Sequence, residues 1–176
     1  MNRKVAFITG ASRGIGAATA VQLARFGYDL AITARTMSEG ESHEHGSWQS
    51  NTAPLPCSLE STAERARAEG AQVLCLRSDI LDLDSVAAAA AGALAHFGRV
   101  DLLFNNACYQ GPVNMQRVLD VELAQIDNIY RGNVQAPVLL VQKLLPGMLV
   151  RGNGAVINMV SGSAINDPPA PADEGG

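Results

Sequence analysis

The sequence predicts an α/β domain built on a parallel sheet, and three observations carry that prediction. A short apolar run, Lys4-Val5-Ala6-Phe7-Ile8, leads straight into the glycine turn Thr9-Gly10-Ala11-Ser12-Arg13-Gly14-Ile15-Gly16 and then into an Ala-rich helical stretch. Strand-like and helical stretches then alternate along the chain, the pattern of βαβ units with parallel pairing. Finally, 47% of the 176 residues are hydrophobic but only 5% aromatic, with Ala and Gly plentiful, which suits helices packed closely on a sheet. That length holds one domain with a real core and is short for two.

The glycine turn is the first element with chemistry in it. Gly10 lets the chain turn sharply, Gly14 leaves room for a pyrophosphate beside the backbone, and Gly16 lets the following helix pack close to the strand. Free N–H groups and the helix dipole then face an anion. The spacing Gly-x-x-x-Gly-x-Gly differs from the common dinucleotide fingerprint. It is no P-loop either, which needs Gly-Lys-Ser/Thr where Ile15-Gly16-Ala17 stands. The helix runs over Ala17–Phe26, with Ile15, Val21 and Leu23 on its apolar stripe.

Tyr28–Ala34 reads as the second strand, parallel to the first. An acidic residue at its end would take the adenosine ribose hydroxyls of a dinucleotide; Ala34-Arg35 stands there instead, with Arg13 in the glycine turn. Two guanidinium groups favour a 2′-phosphate, and so NADP(H) over NAD(H). The plainer alternative is a solvated Arg at a strand end. Residues 36–57 shift to Ser, Gly, Glu, His, Asn and Pro and read as a long surface loop insertion. His43, His45 and Cys57 lack a second close ligand pair, so no metal is assigned. Ser58 opens a helix through Glu69, which Gly70 stops.

Gln72–Arg77 is the third strand. Asp79 follows it, placed either to meet an adenine amino group or simply to make a turn. Asp82 or Asp84 caps a helix ending at Phe97-Gly98, with His96 as a dipole partner near its C-terminus. Val100–Phe104 is the fourth strand and delivers Asn105-Asn106-Ala107-Cys108 to the end of the sheet where ligands bind. Paired Asn side chains there can tie strands together and line a pocket. Tyr109–Arg117 is a loop, and Leu119–Leu149 is helical, interrupted near Pro137 and Pro146, with Asn133 in its middle. Gly154–Val160 is the fifth strand, Ser161-Gly162-Ser163 follow on the ligand side, and 166–176 is an irregular Pro/Gly-rich tail.

A formal charge of −4 gives no footprint for nucleic acid or an anionic membrane. No secretory signal and no membrane span are visible. Three widely spaced cysteines, Cys57, Cys75 and Cys108, fit a reducing, cytoplasmic setting.

These motifs agree in order and spacing with a known family. Over essentially its whole length the chain resembles the short-chain dehydrogenases/reductases, through Thr9–Gly16, Asp79, Asn105-Asn106-Ala107, Asn133 and Ser161. The resemblance implies a Rossmann-type doubly wound sheet ordered 3-2-1-4-5, with residues 1–165 as an NAD(P)-binding domain. It implies hydride transfer between a nicotinamide and a carbonyl or alcohol, with Ala34-Arg35 looking like the NADP-preferring branch. Cofactor contacts are implied for Gly10, Ser12, Arg13, Gly14, Ile15, Gly16, Arg35, Asp79, Ile80, Asn106 and Ala107. Of the family's catalytic Asn, Ser, Tyr and Lys, Asn133 matches the Asn that holds a proton-relay water. Ser161 matches the Ser that hydrogen-bonds the substrate oxygen, with Ser163 as a nearby substitute.

Two departures stand out. The family's Tyr-x-x-x-Lys, one helical turn apart, is absent: Tyr28, Tyr109 and Tyr130 are followed four residues on by Ile32, Val113 and Val134. The resemblance puts that Tyr about where the chain stops, and the family's last strands and helices are also missing. Cys108 replaces the Gly that usually follows Asn-Asn-Ala, which bears on backbone approach to the cofactor. The expected protein is thus an oxidoreductase, weak or inactive as this chain alone and a homo-oligomer at full length. The alternatives are a non-catalytic nucleotide-binding or interaction module, or an enzyme using Tyr109.

Overall fold

A computed structural model describes residues 3–46, 49–112 and 119–161. One sheet forms its centre: β1 (Lys4–Thr9), β2 (Tyr28–Ala34), β3 (Val73–Arg77), β4 (Leu102–Asn105) and β5 (Ala155–Asn158), ordered β3-β2-β1-β4-β5 and parallel throughout. The expected order is the observed one. The order reverses on either side of β1, which opens a crevice beyond the ends of β1 and β4.

Alternation along the buried strands builds two cores. Ala6 and Ile8 join Leu30, Ile32 and the helices α1 (Gly14–Arg25) and α2 (Leu59–Ala68) on one face. Val5 and Phe7 join Ala31, Leu103 and the helices α3 (Leu83–Phe97) and α5 (Ala136–Val150) on the other. Small residues set how closely the helices approach. Gly16, Ala17, Ala20, Val21 and Ala24 form the buried face of α1, leaving Ile15 59% exposed. The expectation that Ile15 shares the apolar stripe is therefore corrected: the tight approach selects small side chains.

Local signals set the helix ends. Ser58 and Ser61 form a reciprocal capping box at the start of α2, Asp82 accepts from the Asp84 and Ser85 N–H groups, and Gly98 closes α3 at φ +71°. α4 (Leu123–Tyr130) runs through a π-helical turn, Arg131–Gln135, into α5. The interruption expected near Pro137 is this turn. None occurs at Pro146, where α5 continues to Val150 with Leu144 and Met148 buried on either side of the proline. Packing outweighs the one lost hydrogen bond.

The opposite end of the sheet is tied by Asp101. Its carboxylate accepts from Val5 N–H (2.9 Å) and from Arg99, and Arg151 lies 3.6 Å away. Its backbone bonds both β1 and the start of β5. Burial alone would push this carboxyl up, but the hydrogen bonds from Arg99 and Val5 and the charges of Arg99 and Arg151 outweigh burial and hold it below its ordinary value. Its stabilisation is present above the unfolded-state value of about 3.9 and is lost as pH falls through the depressed folded value. Asp101→Ala is expected to lower stability by about 2–4 kcal/mol at pH 7 and to flatten the loss of stability below pH 4. Urea titrations at both pH values measure both effects; an unchanged midpoint would show that the Asp101 tie contributes nothing.

Candidate cofactor and active site

The glycine turn is locked to the end of β4 by one hydrogen-bonded knot. Thr9 Oγ1 accepts from the N–H groups of Asn106 (3.0 Å) and Ala107 (2.9 Å), and Asn106 Nδ2 donates to the carbonyls of Thr9 (3.0 Å) and Gly10 (3.2 Å). The glycines make this geometry possible. Gly10 has φ +67°, and a Cβ on it would lie 2.9 Å from Ala107 Cα. On Gly16 a Cβ would lie 2.4 Å from the Gly10 carbonyl oxygen and 2.6 Å from Asn106 Nδ2. Gly16 therefore admits the turn and the Asn106 carboxamide as well as the strand. Gly14, at φ +57°, has no atom within 4 Å of where a Cβ would sit. No side chain caps α1, so its first N–H groups are left for a ligand.

A cleft of about 250 Å³ opens over this turn. Gly10, Ser12, Arg13, Arg35, Asp79, Ile80, Asn106 and Ala107 line it, all eight expected from the sequence; Gly14, Ile15 and Gly16 belong to the turn but not to the lining. Ala34, read with Arg35 as the end of the second strand, lines it too, and Thr33, Thr36 and Ser78 also line it and were missed, although they stand at or just beyond the ends of β2 and β3. Asp79 fits both of its readings: Oδ1 makes a turn by accepting from Leu81 N–H (2.9 Å), and the residue faces the cleft.

Both arginines are held by neutral oxygens. Arg13 donates to Thr36 Oγ1 (3.2 Å) and to the Cys57 carbonyl (3.3 Å), and its buried Nε has no partner. Arg35 donates to the Glu44 carbonyl (2.8 Å). Burial draws the Arg13 guanidinium below its ordinary value; Cys57 opposes the shift and the like charge of Arg35 adds to it. An anion would relieve both penalties. The acceptors come largely from the 36–57 loop, which carries its own hydrogen-bond network. Among the described residues no group of three or more His, Cys, Asp or Glu side chains is placed to hold a metal; His43 contacts Glu41 and His45 the Ala53 carbonyl.

A second, largely apolar cleft of about 400 Å³ shares Ala107 and Cys108 with the first. Val134, Val138, Val141, Met159 and Val160 form its walls, with Asn105, Asn133 and Asn158 as polar groups. Asn105 Nδ2 donates to Asn158 Oδ1 (2.8 Å), tying β4 to β5, while the buried Asn105 Oδ1 has no partner. Asn133 sits at the centre of the π-helical turn. Its carboxamide accepts from Tyr109 N–H (2.7 Å) and donates to the Tyr109 carbonyl (2.8 Å). Pro137 has no N–H, so the Asn133 carbonyl loses its α-helical donor.

Ser161 is exposed and follows directly on Val160, one residue past the lining. Ser163, the tail 166–176 and most of the loop beyond Gln110 lie outside the described residues. Tyr109 lines the first cleft, and its hydroxyl donates to Gln125 Oε1 (3.2 Å). Cys108 needs no glycine conformation, since Cys57 is the one non-glycine residue with positive φ among those described. Cys108 is exposed, yet desolvation of its thiol pushes it above its ordinary value, and it is the only titratable side chain among the described residues lining the second cleft.

An uncapped helix N-terminus, an open Gly14, an orphaned guanidinium nitrogen and two uncompensated cations together fit the phosphates of a dinucleotide. The comparisons agree with that chemistry. The family model of short chain dehydrogenases matches residues 4–57 and 50–171. The 3-oxoacyl-(acyl-carrier-protein) reductase FabG of Staphylococcus aureus is 30% identical over 158 residues, covering 90% of this chain and 56% of that protein. The 2-(R)-hydroxypropyl-CoM dehydrogenase of Xanthobacter autotrophicus is 32% identical over 162 residues, with the same shares. The chain thus spans little more than half the length of these curated relatives.

Among solved structures, a metagenomic short-chain oxidoreductase in complex with NADP matches at TM-score 0.74 and 31% identity, over 94% of this chain and 65% of that one. A 3-oxoacyl-(acyl-carrier protein) reductase from Brucella melitensis in complex with NAD matches at 0.75 and 27%, over 96% and 60%. On its fold, its motifs and this match, the chain belongs to the short-chain dehydrogenase/reductase family of Rossmann-type oxidoreductases.

Proposed function

We propose that residues 1–165 form the cofactor domain of an NADP(H)-dependent short-chain oxidoreductase. The nicotinamide, when bound, supplies the hydride exchanged with a small carbonyl or alcohol substrate. The observation that carries the NADP reading is the pair Arg13 and Arg35, held at the cleft by a hydroxyl and two carbonyls and by no carboxylate. Their charge stays available to a 2′-phosphate. The relatives support the oxidoreductase class, and solved members with NADP and with NAD leave the choice to this chain's own residues. Arg13→Ala and Arg35→Ala are each expected to weaken NADP⁺ binding about 10- to 100-fold, the loss of a charge-assisted contact, and to leave NAD⁺ unchanged. Calorimetric titration with both nucleotides measures this; equal losses for both would sink the NADP reading.

At the reacting end, Ser161 is assigned to the substrate oxygen and the Asn133 carbonyl freed by Pro137 to a proton-relay water. Further polypeptide bearing Tyr-x-x-x-Lys is assigned the proton transfer, because the one titratable group among the described residues lining the second cleft is the Cys108 thiol, which desolvation pushes further above its ordinary value. Alone, the 176-residue chain is then weak or inactive. A second reading, a nucleotide-binding interaction module, draws on a stripe of exposed apolar side chains at helical spacing: Leu123, Ile126, Tyr130, Val134 and Val138. The same stripe supports self-association in a full-length enzyme. The three free thiols suit a reducing cytoplasm. Fusing a C-terminal segment with Tyr-x-x-x-Lys is expected to raise ketone reduction about 10²- to 10⁴-fold over the chain alone, with Ser161→Ala abolishing the gain. No gain in NADPH-consumption assays would favour the interaction module.

A further inference from the structure

The 36–57 insertion brings two carboxylates, Glu41 and Glu44, beside a site that needs positive charge, yet neither is spent on Arg13 or Arg35. Glu41 is taken by Arg77 in a two-point pair, by the N–H groups of Met37 and Ser38, and by His43. Arg77 also donates to the Arg35 carbonyl (2.7 Å), which fixes that residue's backbone. Glu44 turns its carboxylate into its own loop. Oε1 accepts from the N–H groups of Gly46 (2.7 Å) and Asn51 (2.9 Å), and Oε2 from the Ser50 hydroxyl. The main-chain oxygen of the same residue is left to receive the Arg35 guanidinium at 2.8 Å.

We infer that Glu44 is a positioning residue for cofactor selectivity: its carboxylate folds the insertion so that its own carbonyl holds Arg35 in place at the phosphate end of the cleft without neutralising it. The distinction is electrostatic. A carbonyl fixes the direction of a guanidinium and leaves its unit charge intact, whereas a paired carboxylate would cancel that charge and repel a phosphate. The Asn51 N–H, followed by the Ser50 hydroxyl and the Gly46 N–H, holds the Glu44 carboxyl near 2, so the loop keeps this fold across the physiological range. Pre-orienting Arg35 lowers the side-chain ordering cost of binding and acts only on ligands that reach it.

The inference rests on the NADP reading, and the test separates the two. The 176-residue chain is titrated calorimetrically with 2′,5′-ADP and with 5′-AMP, which differ in the 2′-phosphate alone. Wild type should bind 2′,5′-ADP more tightly. Glu44→Ala should weaken 2′,5′-ADP about three- to tenfold and leave 5′-AMP unchanged, part of one charge-assisted contact being lost. Glu44→Gln, whose carboxamide oxygen still accepts from Gly46 and Asn51, should stay within about twofold of wild type by the same arithmetic. Should Glu44→Ala fail to fold, Ser50→Ala removes one support from the same carboxylate, and a loss of about twofold confined to 2′,5′-ADP is expected. Wild type indifferent to the 2′-phosphate overturns the NADP reading. Wild type that discriminates, with Glu44→Ala (or Ser50→Ala where that variant does not fold) discriminating equally or losing both ligands together, overturns the role of Glu44 alone.

Discussion

The structure depends on the contact of Thr9, Gly10 and Gly16 with Asn106. Two parallel strands that are neighbours in space but 97 residues apart in sequence are fixed at the ends where the ligand site opens. The fixing groups are backbone N–H donors that would otherwise be stranded as β4 ends. One threonine oxygen satisfies two of them, and the Asn106 carboxamide satisfies two carbonyls of the turn in exchange. That exchange works only at close range, and close range requires that Gly16 carry no Cβ. The glycine turn is therefore held by hydrogen bonds whose geometry a single methyl group on Gly16 would break.

Two uses of arginine coexist in the molecule, and they differ in the acceptor. Arg99 meets a buried carboxylate, Asp101; the charges cancel, and the result is a tie between β1 and the start of β5. Arg13 and Arg35 meet carbonyls and a hydroxyl, so nothing cancels. Burying a guanidinium and placing a like charge near it are both unfavourable, and the downward pull on Arg13, chiefly from burial with Arg35 adding to it, expresses that cost. A chain with a formal charge of −4 had acids enough to neutralise them, and two of these, Glu41 and Glu44, lie close in sequence. Their engagement elsewhere keeps the site cationic.

Periodicity and turn chemistry made the framework legible. The strands and the helix caps at Ser58 and Asp82 follow from apolar runs and turn residues, while the strand order and the eight cleft-lining residues come from the resemblance to the family. What escaped was decided by packing and by side-chain pairing that residue spacing does not display. Ile15 falls on a helical stripe by spacing, but the depth to which α1 sinks toward the sheet is set by Gly16, Ala17 and Ala20. Pro146 reads as a break, but Leu144 and Met148 anchor the helix on both sides. The 36–57 insertion lacks periodicity because its order comes from two carboxylates collecting donors, a pattern with no period to detect. Asn133 was visible as an oddity within a helix; its partner, the Tyr109 backbone 24 residues earlier, was not.

The two clefts divide the chemistry unequally. The first holds everything a phosphate needs: uncapped N–H groups, an open glycine and two free positive charges. The second carries an amide bond from Asn105 to Asn158, an Asn133 carbonyl that Pro137 denies its α-helical donor, and largely apolar walls. In the proposed reaction hydride transfer to a carbonyl leaves an alkoxide that must gain a proton, and the Cys108 thiol, which desolvation pushes further above its ordinary value, is a poor base for the reverse direction. On the proposed reading, nucleotide recognition and proton transfer are separable. Affinity for the 2′-phosphate tests the first cleft whatever the rate of reduction, and the rate reports what is placed beside the second.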